Sequence, residues 1–328
     1  MRHTSAHTRT GLALAAAAGL SLTACGNGET PGEDGELTEI TVGALPIVDN
    51  AAIYLGDQEG FFEDAGLDLT IEQAQGGAAL LPAVMSDEMD FGFSNVTSLL
   101  IAESQGLDVE ILAGGSATTG DPDEDFAAVV VPEESEIEEI EDLEGAEIAV
   151  NTLSNISDST ISAAVEEAGG DPSTIDYVEM PFPDMPAALE NGTVDAAAAV
   201  EPYQTIILND GARDIFSNYA YPVEDLTVAV WFSASDYVEQ NPEIVEAFTE
   251  AMAESQNYAA ENPDAVREIL PTYTDLEDEV IEQLTLSDYP EAVNLDSLEQ
   301  INQISAESGV ISEEVDLDLL FGDHTISD

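Results

Sequence analysis

The order of strand-like and helix-like segments along this chain leaves few folds open to it. Residues 40–45 (ITVGAL) read as a strand; residues 51–65 (AAIYLGDQEGFFEDA) carry apolar positions at helical spacing and stop at Gly66. A second strand follows at 68–72, a helix at 78–85, a third strand at 91–93, a helix at 96–105 ending at Gly106, and a fourth strand at 109–112. Strands alternating with helices need long crossovers, which build a parallel sheet covered by helices. The same order then returns. EIAV at 147–150 echoes EITV at 39–42, and Ala168-Gly169-Gly170-Asp171 echoes Ala65-Gly66-Leu67-Asp68. MPAAL at 185–189 echoes LPAVM at 81–85, and Asp195 stands before an apolar strand as Asp90 does before Phe91. Two lobes of one architecture follow from this repetition.

Two further strands, 126–132 (FAAVVVP) and 227–234 (TVAVWFSA), are expected to join the lobes. The expected division is lobe I over 37–125 plus 235–328 and lobe II over 126–234. The fold class is α/β, with two doubly wound lobes joined by two crossover strands. Asn241-Pro242 opens a helix with proline in its first turn. Ile244, Val245, Phe248, Met252 and Tyr258 then share one face. A last long helix is expected over 295–308.

Charge decides the surface. The chain has 70 Asp plus Glu against four Arg, no Lys, and a formal charge of −66, yet 44% of its residues are hydrophobic. That apolar content fills a core and is not the signature of disorder. Such dense carboxylates repel one another in dilute buffer, and screening shortens to roughly 3 Å at 1 M salt. The surface therefore reads as one suited to high salt. Nucleic acid is excluded as a partner, because no basic patch can be assembled. Beyond the leader only Arg213 and Arg267 remain, expected in surface ion pairs.

The first 24 residues read as a secretory signal: Arg2 and Arg9, the apolar stretch 11–22, then LTAC at 22–25. The apolar stretch is too short to span a bilayer. LTAC resembles a bacterial lipobox, cut before Cys25, which then carries a lipid. Cys25 is the only cysteine, so no internal disulfide is possible. Residues 25–36, rich in Gly and acids, form a tether. The folded part is expected outside the cell membrane, held to it by the lipid.

Catalytic chemistry is narrowly bounded. Past the leader His324 is the sole histidine, lysine is absent, and Cys25 is lipidated. Ser/His and Cys/His pairs, zinc sites and lysine adducts therefore have no residues to build on. No cofactor and no metal are expected. DPDED at 121–125 alternates like a calcium loop, but lacks its glycine and closing glutamate, and reads as a solvated loop. Carboxylate pairs remain, so a secreted carboxylate-dependent hydrolase is the alternative reading.

In open parallel sheets ligands bind at the carboxyl ends of the strands, beside helix N-termini. Those positions hold Asp49 and Asn50, Gly76 and Gly77, and Ser94, Asn95 and Thr97 in the first lobe. In the second they hold Asn151, Thr152 and Asn155, then Phe182 and Asp184, then Glu201 and Tyr203. These are the candidate ligand contacts. Glu201 stands out because it ends the apolar run DAAAAVEPY at 195–203.

GFFEDAGLD at 60–68 and NGTVDAAAAVEPY at 191–203 carry a resemblance. Over roughly residues 38–310 the chain resembles solute-binding proteins of nitrate, sulfonate and taurine importers, a group related to binding proteins for thiamine pyrimidine precursors. The resemblance implies a type II periplasmic-binding-protein fold closing around one small solute, which is delivered to an ATP-binding-cassette permease. A monomer is expected. It also implies contact roles for Gly76, Gly77, Ser94, Asn95, Asn151, Asn155 and Glu201. Pyrimidine synthases of this fold need histidine and cysteine in their site; neither is available here, which points to binding without catalysis. The acids Glu201, Asp49 and Asp184, with Phe182, Tyr203 or Trp231 to stack on a ring, favour a neutral or weakly basic heteroaromatic over a free sulfonate.

Overall fold

The structure, a computed structural model, describes residues 37–74 and 76–327. The expected signal, Cys25 and the tether lie outside the described residues.

Two five-stranded sheets organise the chain. The first is built from β1 (Thr38–Ala44), β2 (Leu67–Gln73), β3 (Phe91–Asn95), β4 (Val109–Ala117) and β10 (Thr227–Ala234). The second is built from β5 (Ala127–Pro132), β6 (Glu147–Val150), β7 (Asp176–Glu179), β8 (Ala196–Val200) and β9 (Ala212–Phe216). Their strand orders, β2-β1-β3-β10-β4 and β7-β6-β8-β5-β9, are the same topology. In each, one strand lies parallel to two neighbours: β1 to β2 and β3, and β6 to β7 and β8. In each, the fourth strand runs antiparallel to both of its neighbours.

The repetition reaches single hydrogen bonds. Asp90 accepts from the Thr41 N–H at 2.7 Å and donates its own N–H to the Thr41 carbonyl at 2.9 Å. Asp195 does the same with Glu147, at 2.9 and 2.8 Å. An aspartate before the third strand of each lobe thus satisfies main-chain groups at the start of the neighbouring strand.

The lobe boundary differs from expectation. Residues 227–234 were expected in the second lobe, but β10 pairs with β3 and β4 in the first sheet. All eight of its residues are buried, and a continuous apolar run suits the middle of a covered sheet. The chain crosses between lobes at residues 118–126 and 217–226. The helix expected over 51–65 is divided by Gly60, at φ 86°, into Ala51–Glu59 and Phe61–Asp64. A positive φ is freely available only to glycine.

β4 also continues past Leu112, through a glycine pair that reads as a strand end. There the loop 290–292 lies directly on the strand, with the Gly114 N–H donating to the Glu291 carbonyl at 3.1 Å. A Cβ at Gly114 would stand 2.4 Å from the Pro290 carbonyl oxygen. Gly114→Ala is therefore expected to cost about 1–3 kcal/mol, read as a lowered Tm in calorimetry; an unchanged Tm would refute this packing.

The core of the first lobe forms where the helix Pro242–Glu261 meets the sheet. Ile244, Val245, Phe248 and Met252 are buried, as their spacing requires. Phe91 stacks on Phe248 at 3.8 Å between ring centroids, and Trp231 meets Phe93 edge-on at 5.2 Å. Trp231 is thus a core residue of β10 and not a stacking platform for a solute.

Candidate functional site

The loops after β3, β6 and β8 meet where the lobes close. Asn155 caps the helix Ile156–Ala168, accepting from the Ile156 N–H at 2.7 Å. Its Nδ2 donates across to Ser98 Oγ of the first lobe at 3.1 Å. Asn95 caps the facing helix, Val96–Ser104, by accepting from the Ser98 N–H at 2.9 Å.

Asp49 sits in the turn after β1, and four hydrogen bonds fix that turn. Asn50 Oδ1 accepts from the Leu45 N–H at 2.6 Å. The Tyr273 and Tyr289 hydroxyls donate to the carbonyls of Ile47 and Val48, at 3.1 and 2.9 Å. Ser116 Oγ donates to Asp49 Oδ2 at 2.8 Å. Burial pushes the Asp49 carboxyl up to about 6; the Ser116 bond opposes this, and the charge of Asp125 adds to it. Its other oxygen, Oδ1, has no hydrogen-bond partner among the described residues. The same is true of Asn50 Nδ2, Ser94 Oγ and Thr97 Oγ1, all on fully buried residues. Native interiors leave few polar atoms unpaired, so a group of four at the carboxyl ends of β1 and β3 makes this the candidate binding surface.

Glu201 is also fully buried. Its Oε2 accepts from the Thr205 N–H at 3.1 Å, and Oε1 from Thr205 Oγ1 at 2.7 Å and from the Thr285 N–H at 3.1 Å. Burial pushes its carboxyl up to about 7, opposed by these bonds and reinforced by the charge of Asp49. Thr285 belongs to the first lobe, so this carboxylate ties the lobes together. The peptide bond that follows it, to Pro202, is cis.

The remaining candidates divide. Gly76 is the N-cap of the helix Gly77–Met85, in extended backbone. Asn151 and Thr152 are half-buried in the bend after β6. Phe182 and Tyr203 stack on each other at 6.2 Å. Asp184 is exposed and stands apart from the buried acids.

Several residues of the site escaped the sequence. DPDED was read as a solvated loop, yet Asp125 is buried, accepting from the Thr119 N–H at 3.0 Å and from Ser217 Oγ at 2.7 Å. It pins one interlobe crossing to the other. Beside Ser217, both side-chain amide atoms of Asn218 are buried without a partner among the described residues. The Tyr219 hydroxyl lies 3.4 Å from Ser157 Oγ; burial raises its pKa, and Asp49 and Asp125 raise it further. The available signal was Phe126, which places an acid directly before an apolar run as Asp90 and Asp195 are placed. The two arginines were expected in surface ion pairs. Arg213 instead donates to the carbonyls of Ser135 and Ile137, and Arg267 to those of Leu284 and Pro263.

Two lobes of one topology, joined by two chain crossings and meeting over buried, unpaired polar groups, define the class of two-lobed solute-binding proteins. Within that class the chain belongs to the NMT1/THI5-like family, whose model matches residues 48–266. It is 26% identical over 229 residues to the taurine-binding periplasmic protein of Escherichia coli, spanning 70% of this chain and 69% of that one. It is 23% identical to the formylaminopyrimidine-binding protein of Halalkalibacterium halodurans, over 73% and 71% of the two chains. The alkanesulfonate-binding protein SsuA of Xanthomonas axonopodis pv. citri shares the fold, with a TM-score of 0.72, 17% identity, and 89% and 99% coverage.

Proposed function

We propose that this chain captures a small solute outside the cell and delivers it to the permease of an ATP-driven importer. The relatives' names support a solute of the sulfonate, taurine or formylaminopyrimidine kind. The observation that carries the reading is the set of buried, unpaired polar atoms on Asp49, Asn50, Ser94 and Thr97, beside hydrogen bonds that cross between the lobes. The protein binds without turnover: its buried acids are held by hydroxyls and main-chain amides, and His324 lies on the C-terminal segment, away from the cleft loops. It acts as a monomer, held to the outer membrane face by a lipid on Cys25. The acidic surface adapts it to high salt.

Thermal unfolding tests both points together. A solute present at about 100 times its Kd raises stability by about 2.7 kcal/mol. A panel of aminosulfonates, sulfonates and aminopyrimidines in concentrated salt is expected to include one that raises Tm by several degrees. The solute-free Tm is expected to be higher in concentrated NaCl than in dilute buffer. A flat response across the panel would count against the first point, and a Tm independent of salt against the second.

A further inference from the structure

We infer that the captured solute carries a positively charged nitrogen, an amine or amidine, and that Asp49 is its counter-charge. The inference rests on the solute-capture reading and adds the chemical class.

Three carboxylates, Asp49, Asp125 and Glu201, are buried where the lobes meet. Their hydrogen bonds come from hydroxyls and main-chain N–H groups: Ser116 for Asp49, Ser217 and Thr119 for Asp125, Thr205 and Thr285 for Glu201. Both arginines of the described chain are bonded to main-chain carbonyls. Burying an anion without a cation is expensive, and these three repel one another besides. Asp125 and Glu201 have every carboxylate oxygen in a hydrogen bond. Of these three only Asp49 has a free one, Oδ1; Asp158 Oδ1 in the second lobe is also unpaired, but only Asp49 has Asn50, Ser94 and Thr97 in its own lobe to offer neutral polar atoms for the rest of a small molecule.

The surroundings of Asp49 suit a cation. Tyr219, Tyr273 and Tyr289 all lie near enough to feel its charge. The Tyr273 and Tyr289 hydroxyls already donate to the Ile47 and Val48 carbonyls, so they do not neutralise Asp49. A solute with no basic nitrogen leaves Asp49 Oδ1 unpaired, or requires Asp49 to stay protonated.

The test compares matched probes by calorimetric titration in concentrated NaCl: taurine against ethanesulfonate, and 4-aminopyrimidine against pyrimidine. It also identifies, by mass spectrometry, the solute released on denaturing protein purified from growing cells. The nitrogen-bearing member of a pair is expected to bind on the order of 100-fold tighter, as fits a charged hydrogen bond in a buried site. Asp49→Asn, similar in shape and able to keep the Ser116 bond, is expected to remove most of that preference. Wild-type protein supplies a second readout. A cation at Asp49 draws its pKa down, so binding at pH 6 is expected to release protons, seen as a buffer-dependent heat that fades by pH 8.

Equal affinity for both members of a pair would overturn the inference, as would an indifferent Asp49→Asn. So would a released solute lacking a basic nitrogen, which leaves solute capture standing. If no probe binds and no solute is released, solute capture itself fails.

Discussion

Replacing Glu201 with alanine is expected to cost about 3 kcal/mol or more, and to weaken solute binding beyond that. The Glu201 side chain is the acceptor for the Thr205 N–H, the Thr205 hydroxyl and the Thr285 N–H. Alanine leaves all three donors inside a closed interface, and each unsatisfied buried group costs roughly 1–3 kcal/mol. The Thr285 bond exists only when the lobes are together, so its loss favours opening. Affinity falls because the fraction of closed protein falls. Glu201→Gln preserves the volume and one acceptor oxygen, and is expected to lie much closer to wild type in Tm. An alanine variant that melts with wild type would show that this carboxylate holds nothing together.

The second large effect is a reversed response to pH. Asp49 and Asp158 are pushed up to about 6, from 3.8, and Glu201 to about 7, from 4.5, with burial the first cause for each. In the window between these values the folded protein holds protons that the unfolded chain has released. Stability therefore falls as pH rises through about 4 to 7. Each tenfold change in proton affinity is worth about 1.4 kcal/mol. Allowing for coupling between Asp49 and Glu201, the solute-free protein is expected to gain roughly 2–4 kcal/mol between pH 8 and pH 5. Most proteins change in the opposite sense there, because their paired carboxylates are held below the usual range. Calorimetry at fixed salt across this window checks the sign. A Tm that falls steadily on acidification from pH 8 would contradict it.

What the sequence revealed depended on whether the cause was local. The strands of the two parallel runs were legible because alternation and glycine stops are written within a few residues. The equivalence of Asp90 and Asp195 was legible for the same reason, and both aspartates close the same strand end. Glu201 was visible through its place after an apolar run, although its oxygens serve an interlobe bond. Asp125 was hidden among exposed acids, since only its tie to Ser217, 92 positions away, removes it from water. Asn218, Tyr219 and Thr285 lie in segments with no periodicity, and only the tertiary fold brings them to the candidate site. The return of β10 to the first sheet left no local trace: FAAVVVP and TVAVWFSA are both apolar, and nothing within either run says which sheet receives it.

That return sets an order of assembly. β10 lies between β3 and β4 in the first sheet, yet it is made after every strand of the second. While the chain is being synthesised, the first lobe has β4 before the strand that joins it to β3. The second lobe can gather all five of its strands from residues 127–216. The lobe that begins the protein must wait for Ala234, and it completes its sheet around a partner already formed.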